Sequence, residues 1–405
     1  MSYSLKSIIL LIFLLSLSPT ESLRAAAPGP SMVKTKGRVL LVKDRKDNGK
    51  LQEEKSFVIK GVCWSPVSIG TANDYGSRVE AFGHWYRKDI DLISRMNANT
   101  VYTFLDFGTD QKAFEVLAAL HQHKIKAIVT VDVEGTNNVQ QIKEVVSKYK
   151  EHPAILMWAI GNEWNINLYH GKFSSLLEAA KATEEAARLI KTLDKNHPVA
   201  SIFGDITIKH AQISTSVIVN EIAPSVDVWG LNIYRGDNFG DLFDYWKAIS
   251  SKPIFISEFG TDSFYSRSWW PARGREDGGM QKTFISSLWK DLRDNLSACN
   301  PQNVALGGTV FEWVDEWWKV KISNDGNNYR QDTNGFPSTW NKFAHPDGFA
   351  NEEYFGIVRI DRTPKPIYDE LKHLYSLDPC SYAAQRKLED GVTFRPFKSP
   401  HFDPS

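Results

Sequence analysis

The sequence predicts an α/β protein, a (β/α)8 TIM barrel with a short N-terminal β-hairpin before it and an irregular C-terminal tail after it. Two observations predict this fold: short apolar runs recur along the chain, and segments with helical periodicity lie between them. Such alternation is typical of parallel strands joined by helices, and eight units are the number that closes a barrel. A chain of 405 residues is long enough for one such barrel with extensions.

Eight apolar runs are the predicted barrel strands. They are Phe57–Trp64, Thr100–Phe104, Ala127–Val133, Ile155–Ile160, Val199–Phe203, Val226–Tyr234, Ile254–Phe259 and Ala305–Trp313. Helical periodicity covers Arg87–Met96, Ala113–His123, Val139–Lys150, Ser174–Leu193, Leu242–Ile249 and Gln281–Leu292, and a last amphipathic segment, Pro366–Tyr375, can close the ring. The stretch Lys319–Gly356 has no clear periodicity, and a long loop inside a compact domain is usually functional.

The first residues have the pattern of a secretory signal. Lys6 precedes the apolar run Ser7–Leu17, and the small residues Ala25–Ala27 follow after a polar stretch. We predict a signal peptide over residues 1–27 with an approximate cleavage site, an N-terminal extension with the hairpin over 28–56, the barrel over 57–376 and the tail over 377–405. An uncleaved signal anchor is the alternative interpretation, although the run is short for a bilayer span. We expect a secreted protein with no stable membrane insertion once the signal is removed.

Charge and cysteine content narrow the classes of partner. Lys plus Arg and Asp plus Glu both number 48, so nothing favours nucleic acid or an anionic membrane surface as a partner. The three cysteines, Cys63, Cys299 and Cys380, lack metal-ligand spacing, and we expect neither a metal nor another cofactor. An oxidising compartment would permit a bridge between Cys299 and Cys380. The oligomeric state is left open.

Glutamate stands at the end of two predicted strands. The fourth strand leads into Gly161-Asn162-Glu163, and the seventh ends in Ser257-Glu258-Phe259-Gly260. Barrel enzymes place their sites at the C-terminal strand ends, and strands four and seven lie on opposite sides of the mouth, so the two side chains can converge. Glycosidic bond cleavage needs such a pair, about 5 Å apart in retaining enzymes. One strand-end glutamate is more often a loop cap or ion-pair partner, but two in these contexts predict Glu163 as acid/base and Glu258 as nucleophile.

These motifs resemble those of clan A glycoside hydrolases, in which the first contains the acid/base and the second the nucleophile. The closest likeness is to the catalytic barrel of glycoside hydrolase family 2, because Trp229–Tyr234 is similar to its sixth-strand segment and Phe311–Trp313 to its eighth-strand end. The segments Phe57–Val62 and Pro364–Tyr368 also resemble the family 72 β-1,3-glucanosyltransferases. The resemblance extends over about Phe57–Tyr375. It implies a retaining β-glycoside hydrolase that acts on a β-linked glycan through a glycosyl-enzyme intermediate.

Five further residues are candidates for substrate binding. The resemblance implies that Tyr234 hydrogen-bonds the nucleophile, that Asn232 lies at the substrate site, and that an aromatic residue, here Trp313, floors the sugar subsite. Asn162 is a neutral hydrogen-bonding residue suited to a sugar hydroxyl. Asp106, after the second strand, either binds sugar hydroxyls or caps a loop.

The sequence departs from the family pattern in two ways. The chain has no room for the β-sandwich domains that usually precede the barrel, and the second strand has Tyr102 or its neighbours where clan members usually have an arginine that helps keep the nucleophile ionised. Two alternatives therefore stay open: a transglycosylase on the same scaffold, and a barrel that binds glycans without cleaving them. A metal-dependent hydrolase would need His and Asp at several strand ends, and that set is not seen.

Overall fold

The computed structural model describes residues 28–71, 74–132, 139–206, 213–269, 272–319, 331, 333, 336–337 and 344–381. A closed barrel of eight parallel strands is its centre, each strand pairing with its neighbours in sequence and the last with the first. The strands are β1 (Ile59–Cys63), β2 (Thr100–Thr103), β3 (Lys126–Asp132), β4 (Ile155–Ile160), β5 (Val199–Phe203), β6 (Val228–Asn232), β7 (Ile254–Phe259) and β8 (Ala305–Val310). The predicted fold class is therefore confirmed, and every strand end lies within three residues of the predicted one.

Helices surround the barrel, as the apolar periodicity predicted. The long ones are Tyr75–Arg95, Gln111–Gln122, Val139–Tyr149, Leu176–Leu193, Leu242–Ile249, Gly278–Asp294 and Pro366–Ser376. Side-chain caps begin several of them: Asp110, for example, accepts hydrogen bonds from the backbone N–H groups of Lys112 and Ala113. No helix in these described ranges is both long and apolar enough to cross a bilayer.

The buried side chains form two apolar layers. The larger layer lies between the strands and the helices, where β-strand residues such as Trp158 and Trp229 pack. The smaller layer fills the barrel interior and includes Tyr102, Phe255 and Phe311. Because side chains alternate along a strand, one face of each strand serves each layer, and the barrel is packed rather than hollow.

A small antiparallel sheet covers the N-terminal end of the barrel. It consists of Met32–Lys36, Val39–Lys43 and Lys55–Ser56, in that order. Leu40 and Val42 pack into the interior layer of the barrel. The hairpin prediction found the second strand, but it missed the strands Met32–Lys36 and Lys55–Ser56. With this end covered, the opposite end remains for the site.

Several elements were not predicted. A short helix, Trp164–Gly171, follows β4; a π-helical turn, Ile218–Ile222, lies before β6; and an antiparallel hairpin, Phe264–Trp269 with Ala272–Glu276, follows β7. Residues 1–27 and 382–405, which hold the predicted signal peptide and most of the predicted tail, lie outside the described residues, as does much of the predicted long loop 319–356.

A disulfide joins Cys299, in the turns after the helix Gly278–Asp294, to Cys380, just after the helix Pro366–Ser376. The bridge that the cysteine pattern permitted is therefore formed. It fastens the last helix of the barrel to the segment that leads into β8. Cys63, at the end of β1, is a free and buried thiol.

Candidate active site

The turn after β4 places Glu163 at the mouth of the barrel. All six residues of β4 are buried, and the chain then reverses through Gly161 at φ +70° and Glu163 at φ +52°. Any Cβ at Gly161 would lie 2.7 Å from the Trp164 ring, so only glycine fits both the left-handed conformation and the space. A left-handed backbone is uncommon for a glutamate, and such strain is usually found at functional sites.

Glu258 lies within the last residues of β7 and is only 7 % exposed. The next turn passes very close to the end of β8: a Cβ on Gly260 would lie 2.4 Å from the carbonyl oxygen of Phe311. Glycine at this position therefore lets strand seven end against strand eight with the Glu258 side chain in the mouth. Within Ser-Glu-Phe-Gly, the structure thus explains the glutamate by its place in the mouth and the glycine by the close approach to Phe311.

Strand β6 connects the two glutamates. Asn232 Nδ2 lies 3.2 Å from Glu163 Oε1, and Tyr234, two residues further, donates from its hydroxyl to Glu258 Oε2 at 3.0 Å. Ser257 fixes the amide, because its hydroxyl donates to Asn232 Oδ1 at 2.7 Å and thereby directs the NH2 group towards Glu163. The same NH2 group lies 3.1 Å from Asn162 Oδ1. Both carboxyl groups are thus held at one place from one strand end.

The two carboxyl groups are electrostatically coupled, and Glu258 is buried whereas Glu163 is half-buried. Burial raises the pKa of Glu163, and the hydrogen bond from Asn232 opposes this. Burial and then the neighbouring Glu163 raise the pKa of Glu258, while Lys319 and the Tyr234 hydroxyl lower it. Burial and the charge of Glu258 raise the pKa of Tyr234, so the phenol stays protonated and remains a donor. Two such groups cannot both be ionised at little cost, and the pair favours holding one proton between them.

The loop after β8 adds a cluster of buried charges that the sequence analysis did not single out as such. We call Glu312, Glu316 and Lys319 the β8 charge cluster. Lys319 Nζ lies 2.7 Å from Glu316 Oε2, with these two side chains 16 % and 2 % exposed. Both carboxyl oxygens of Glu312 are buried with no hydrogen-bond partner among the described residues. Burial and then Glu316 raise the pKa of Glu312.

Trp313, the predicted floor of the sugar subsite, lies in a different place from the glutamates. Its side chain is fully buried in the layer between strands and helices, where its ring meets Tyr368 with centroids 6.5 Å apart. The aromatic ring of this segment that points into the barrel interior is Phe311, which packs against Phe104 and Phe355. Phe311, and not Trp313, lies in the interior layer of the barrel, and a sugar contact from Trp313 stays an untested prediction.

Asp106 is engaged in loop structure. Its carboxylate accepts hydrogen bonds from the Tyr75 hydroxyl at 2.8 Å, the Gly108 backbone N–H at 2.7 Å and the Gln141 amide at 3.1 Å. The side chain is fully buried. Of the two roles considered for Asp106, these contacts match the cap of a loop rather than a group free to bind sugar hydroxyls.

Among the residues that the structure describes, no three His, Cys, Asp or Glu side chains are grouped so as to hold a metal ion. The mouth brings together two coupled carboxyl groups, a phenol, an amide and a buried cation. That set can protonate a leaving oxygen on one side of a bound sugar and present a carboxylate on the other.

The model of the glycosyl hydrolases family 2 TIM barrel domain matches residues 109–290, a range that contains both glutamates. The β-glucuronidase of Chlorocebus aethiops is 27% identical over 239 residues, which are 52% of this chain and 33% of that protein. The human β-glucuronidase is 27% identical over 139 residues, 31% of this chain and 19% of that protein. The chain thus spans about a third or less of the length of these curated relatives.

Solved structures share the barrel. A family 2 β-galacturonidase from Eisenbergiella tayi bound to galacturonate has a TM-score of 0.52 at 20% identity, covering 86% of this chain and 54% of that one. The Bifidobacterium dentium β-glucuronidase complexed with coumarin-3-O-glucuronide has a TM-score of 0.56 at 18% identity, covering 85% and 49%. At this identity the likeness shows the fold, and together with the family match it confirms the resemblance to a clan A barrel closest to family 2.

Proposed function

We propose that this chain, whose barrel is of the glycosyl hydrolase family 2 type, is a retaining β-glycosidase that works by double displacement. One observation carries the proposal: strand β6 contacts a carboxyl group from β4 through Asn232 and a carboxyl group from β7 through Tyr234. A pair of glutamates converging on one buried place is what retention of configuration requires.

In the first step the carboxylate of Glu258 attacks the anomeric carbon and the bond from that carbon to the leaving oxygen breaks. Glu163 gives its proton to the leaving oxygen. In the second step Glu163, now ionised, takes a proton from water, the water oxygen attacks the anomeric carbon, and the ester bond to Glu258 breaks. Burial raises the pKa of Glu163, which suits a group that must first be an acid near neutral pH.

Tyr234 and Asn232 have separate tasks in this scheme. The phenol donates to the carboxylate of Glu258 and holds the oxygen that does not attack. The amide keeps the carboxyl of Glu163 aimed at the mouth, since Ser257 fixes its orientation. A hydrolytic outcome requires only water as acceptor, whereas a transglycosylase would need a second sugar at the same place.

Glu163→Ala and Glu258→Ala variants with added azide test the two roles. Wild type should hydrolyse an activated aryl β-glycoside with retention, seen by proton NMR of the first-formed sugar. Azide should restore turnover of Glu258→Ala with an α-glycosyl azide as product, and of Glu163→Ala with a β-glycosyl azide, because only the first variant lacks the nucleophile. Inversion by wild type, or near-full rate in either variant without azide, would overturn the assignment.

The names of the relatives supply the sugar to test first. β-Glucuronidases and a β-galacturonidase act on uronides, so we propose that a β-linked uronic acid is the first substrate class to try. Aryl β-D-glucuronide, β-D-galacturonide, β-D-galactoside and β-D-glucoside share one leaving group, so kcat/KM across them reports the sugar alone. A preference for the neutral sugars would remove the uronide proposal and leave the glycosidase proposal intact.

We also propose that the protein is secreted. The apolar run Ser7–Leu17 behind Lys6 supports this, and so does the disulfide between Cys299 and Cys380, because such bonds persist in oxidising compartments. Expression of the full chain in a secretory host, followed by N-terminal sequencing of protein from the medium, tests the proposal. Retention of all protein inside the cell with an intact N-terminus would contradict it.

A further inference from the structure

Several buried glutamates lie at the mouth of the barrel, and they cannot all be ionised at little cost in free energy. Glu258 interacts electrostatically with Glu163 and Glu316, Glu312 interacts with Glu316 and Glu258, and none of these side chains is well exposed. One carboxylate must nevertheless be ionised to attack a sugar. Strand β2 contains no lysine or arginine, and its Tyr102 side chain is fully buried in the barrel interior. The required positive charge must therefore come from another element.

Lys319 is placed to supply that charge. Its ammonium lies 4.5 Å from the centroid of the Phe311 ring, and the backbone N–H of Phe311 donates to the carbonyl of Phe259, the residue after Glu258. The ring of Phe311 faces the same interior layer as Tyr234, the partner of Glu258. Lys319 thus stands over the end of β8 next to the end of β7.

Contacts with neighbouring side chains hold Lys319 in place. Glu316 Oε2 lies 2.7 Å from its Nζ, Glu352 Oε2 lies 3.9 Å away, and the Trp318 ring is 5.3 Å distant. Burial works against its charge, but Glu316, Glu352 and Glu312 outweigh burial and raise the pKa of Lys319, so it stays protonated. In a dry site a fixed cation acts over a longer distance than a surface lysine does.

The charge of Glu316 does not simply cancel that of Lys319. Glu316 also interacts with Arg78, whose guanidinium lies 5.4 Å from the Trp318 ring centroid, so one carboxylate is shared between two cations. At Glu258, Lys319 lowers the pKa by more than Glu316 raises it, and the Tyr234 hydroxyl adds to the lowering. At Glu163, Glu352 opposes Lys319 by raising the pKa. Lys319 nevertheless lowers the pKa of Glu163 by more than Glu352 raises it, so its charge favours the ionised form of both catalytic carboxyl groups.

We propose that Lys319, anchored by Glu316, is the positioning residue whose fixed charge favours the ionised form of Glu258 for attack. This inference rests on the proposed function of the two glutamates. It assigns to the loop after β8 the electrostatic task that strand β2 leaves unfilled. Lys319 acts through Glu258 and is not itself a reacting group.

Two variants test the inference, Lys319→Met and Lys319→Arg. The matched control is Lys247→Met, which removes an exposed lysine from the helix Leu242–Ile249. The measured quantity is kcat/KM against pH on the aryl β-glycoside that wild type cleaves best. Loss of the cation should raise the apparent pKa of the acidic limb by about half to one pH unit, and arginine should restore most of it. Lys247→Met should retain the wild-type profile.

Three outcomes would overturn the inference. One is an acidic limb that stays in place in Lys319→Met. Another is a rise in KM confined to anionic glycosides with an unmoved limb, which would make Lys319 a contact for the substrate carboxylate. The third is failure of arginine to restore the limb in a variant that folds with a wild-type Tm.

The proposed function is judged separately, because it fails only if Glu258→Ala or Glu163→Ala stays active or if wild type inverts. If wild type turns over no glycoside, carbon-13 NMR titration of labelled glutamate still measures the Glu258 carboxyl, identified by its loss in Glu258→Gln. The same upward shift in Lys319→Met is expected there. Its absence would overturn the inference without any assay of turnover.

Discussion

The two ends of the barrel treat buried charge in opposite ways. At the N-terminal end, Asp194 accepts hydrogen bonds from the Trp158 indole at 2.8 Å and the Asn196 backbone N–H at 2.7 Å, and it bonds the His197 ring at 2.7 Å. Burial opposes its charge, but His197 and the other donors outweigh burial and lower the pKa of Asp194. At the mouth, the carboxyl group of Glu258 accepts one hydrogen bond within the described part of the chain, from the Tyr234 hydroxyl, and burial raises its pKa.

The difference separates stability from chemistry. A carboxylate surrounded by donors is ionised, fixed and unreactive, and its charge stabilises the folded state. A carboxyl group held dry with few donors costs stability, but it is ready to exchange a proton or attack carbon. The N-terminal sheet covers the first end and leaves the second end for substrate, in agreement with the general placement of sites in barrels.

Reciprocal alanine substitutions at the two ends should show this contrast most strongly. Asp194→Ala should lower the free energy of unfolding by about 3–5 kcal/mol, because His197 and the Trp158 indole stay buried without their acceptor. The kcat of the folded fraction should not change. Glu258→Ala should do the reverse, abolishing turnover while the free energy of unfolding stays equal or rises.

Urea unfolding and active-site titration measure the two quantities. Asp91→Ala is the control for Asp194→Ala, since its pair with Arg95 is exposed and should contribute less than about 1 kcal/mol. A loss of kcat in folded Asp194→Ala, or a large destabilisation by Glu258→Ala, would show that the two ends are not separated in this way.

Removal of one hydroxyl should give the next largest effect. Tyr234→Phe deletes the donor to Glu258 Oε2 and should cost about 1.5–3 kcal/mol of transition-state stabilisation, or roughly 10- to 150-fold in kcat/KM. Since this hydroxyl lowers the pKa of Glu258, the acidic limb of the pH profile should also move upward. The matched control is Tyr375→Phe, whose hydroxyl donates to the Gly61 carbonyl and should affect stability but not the limb.

The pH dependence of stability should have opposite signs at the two ends. Burial raises the pKa of Glu312, so its contribution is fully present below the ordinary glutamate value of about 4.3 and is lost as pH rises. Glu312→Gln should therefore gain about 1–2 kcal/mol over wild type at pH 7, and the gain should shrink to zero near pH 4. The pKa of Asp194 is lowered, so its contribution is present above its unfolded value and is lost as pH falls.

Unfolding in urea between pH 4 and pH 8 checks both signs with the same instrument. The free energy of unfolding of wild type and that of Asp194→Ala should become more similar towards low pH. The free energies of unfolding of Glu312→Gln and wild type should differ more towards high pH. If Glu312→Gln is less stable than wild type at pH 7, Glu312 is an ionised and paired group, and the contrast fails at that residue.

The barrel was predictable because its signal is local and repeated. Apolar strands and amphipathic helices each impose a period on the sequence, and β4 and β7 were located to the residue by their apolar runs. Glu258 was predictable for the same reason, because it lies within the apolar run of β7, whereas Glu163 lies three residues after β4 and was predicted from the Gly161-Asn162-Glu163 motif. The hairpin Phe264–Glu276 was missed because its strands are polar and exposed in part and carry no such period.

The rest of the site depends on contacts between distant loops, which no local pattern records. Lys319 and Glu316 stand in a Trp-rich run with no regular period, and only the folded loop brings them against Phe311. Asp106 follows β2 by three residues, and there the chain folds its carboxylate onto Tyr75 and Gln141. Glu163 and Asp106 both lie three residues after a strand end, so that distance alone does not decide whether a side chain enters the mouth or caps a loop.

The smallest effect is expected at Trp313, where sequence and placement differ most. Phe311 and Trp313 are two residues apart and would share a face in a strand, but β8 ends at Val310, and the rings enter different layers. Trp313→Phe should cost about 1 kcal/mol of stability through lost packing, because the indole N–H has no partner to lose among the described residues, and KM should stay the same. Phe311→Ala should raise KM severalfold, since its ring packs against Phe355, which in turn contacts Tyr234, the partner of Glu258. If the two variants exchange these results, Trp313 is the sugar platform after all, and the mouth extends into the layer that packs against the helices.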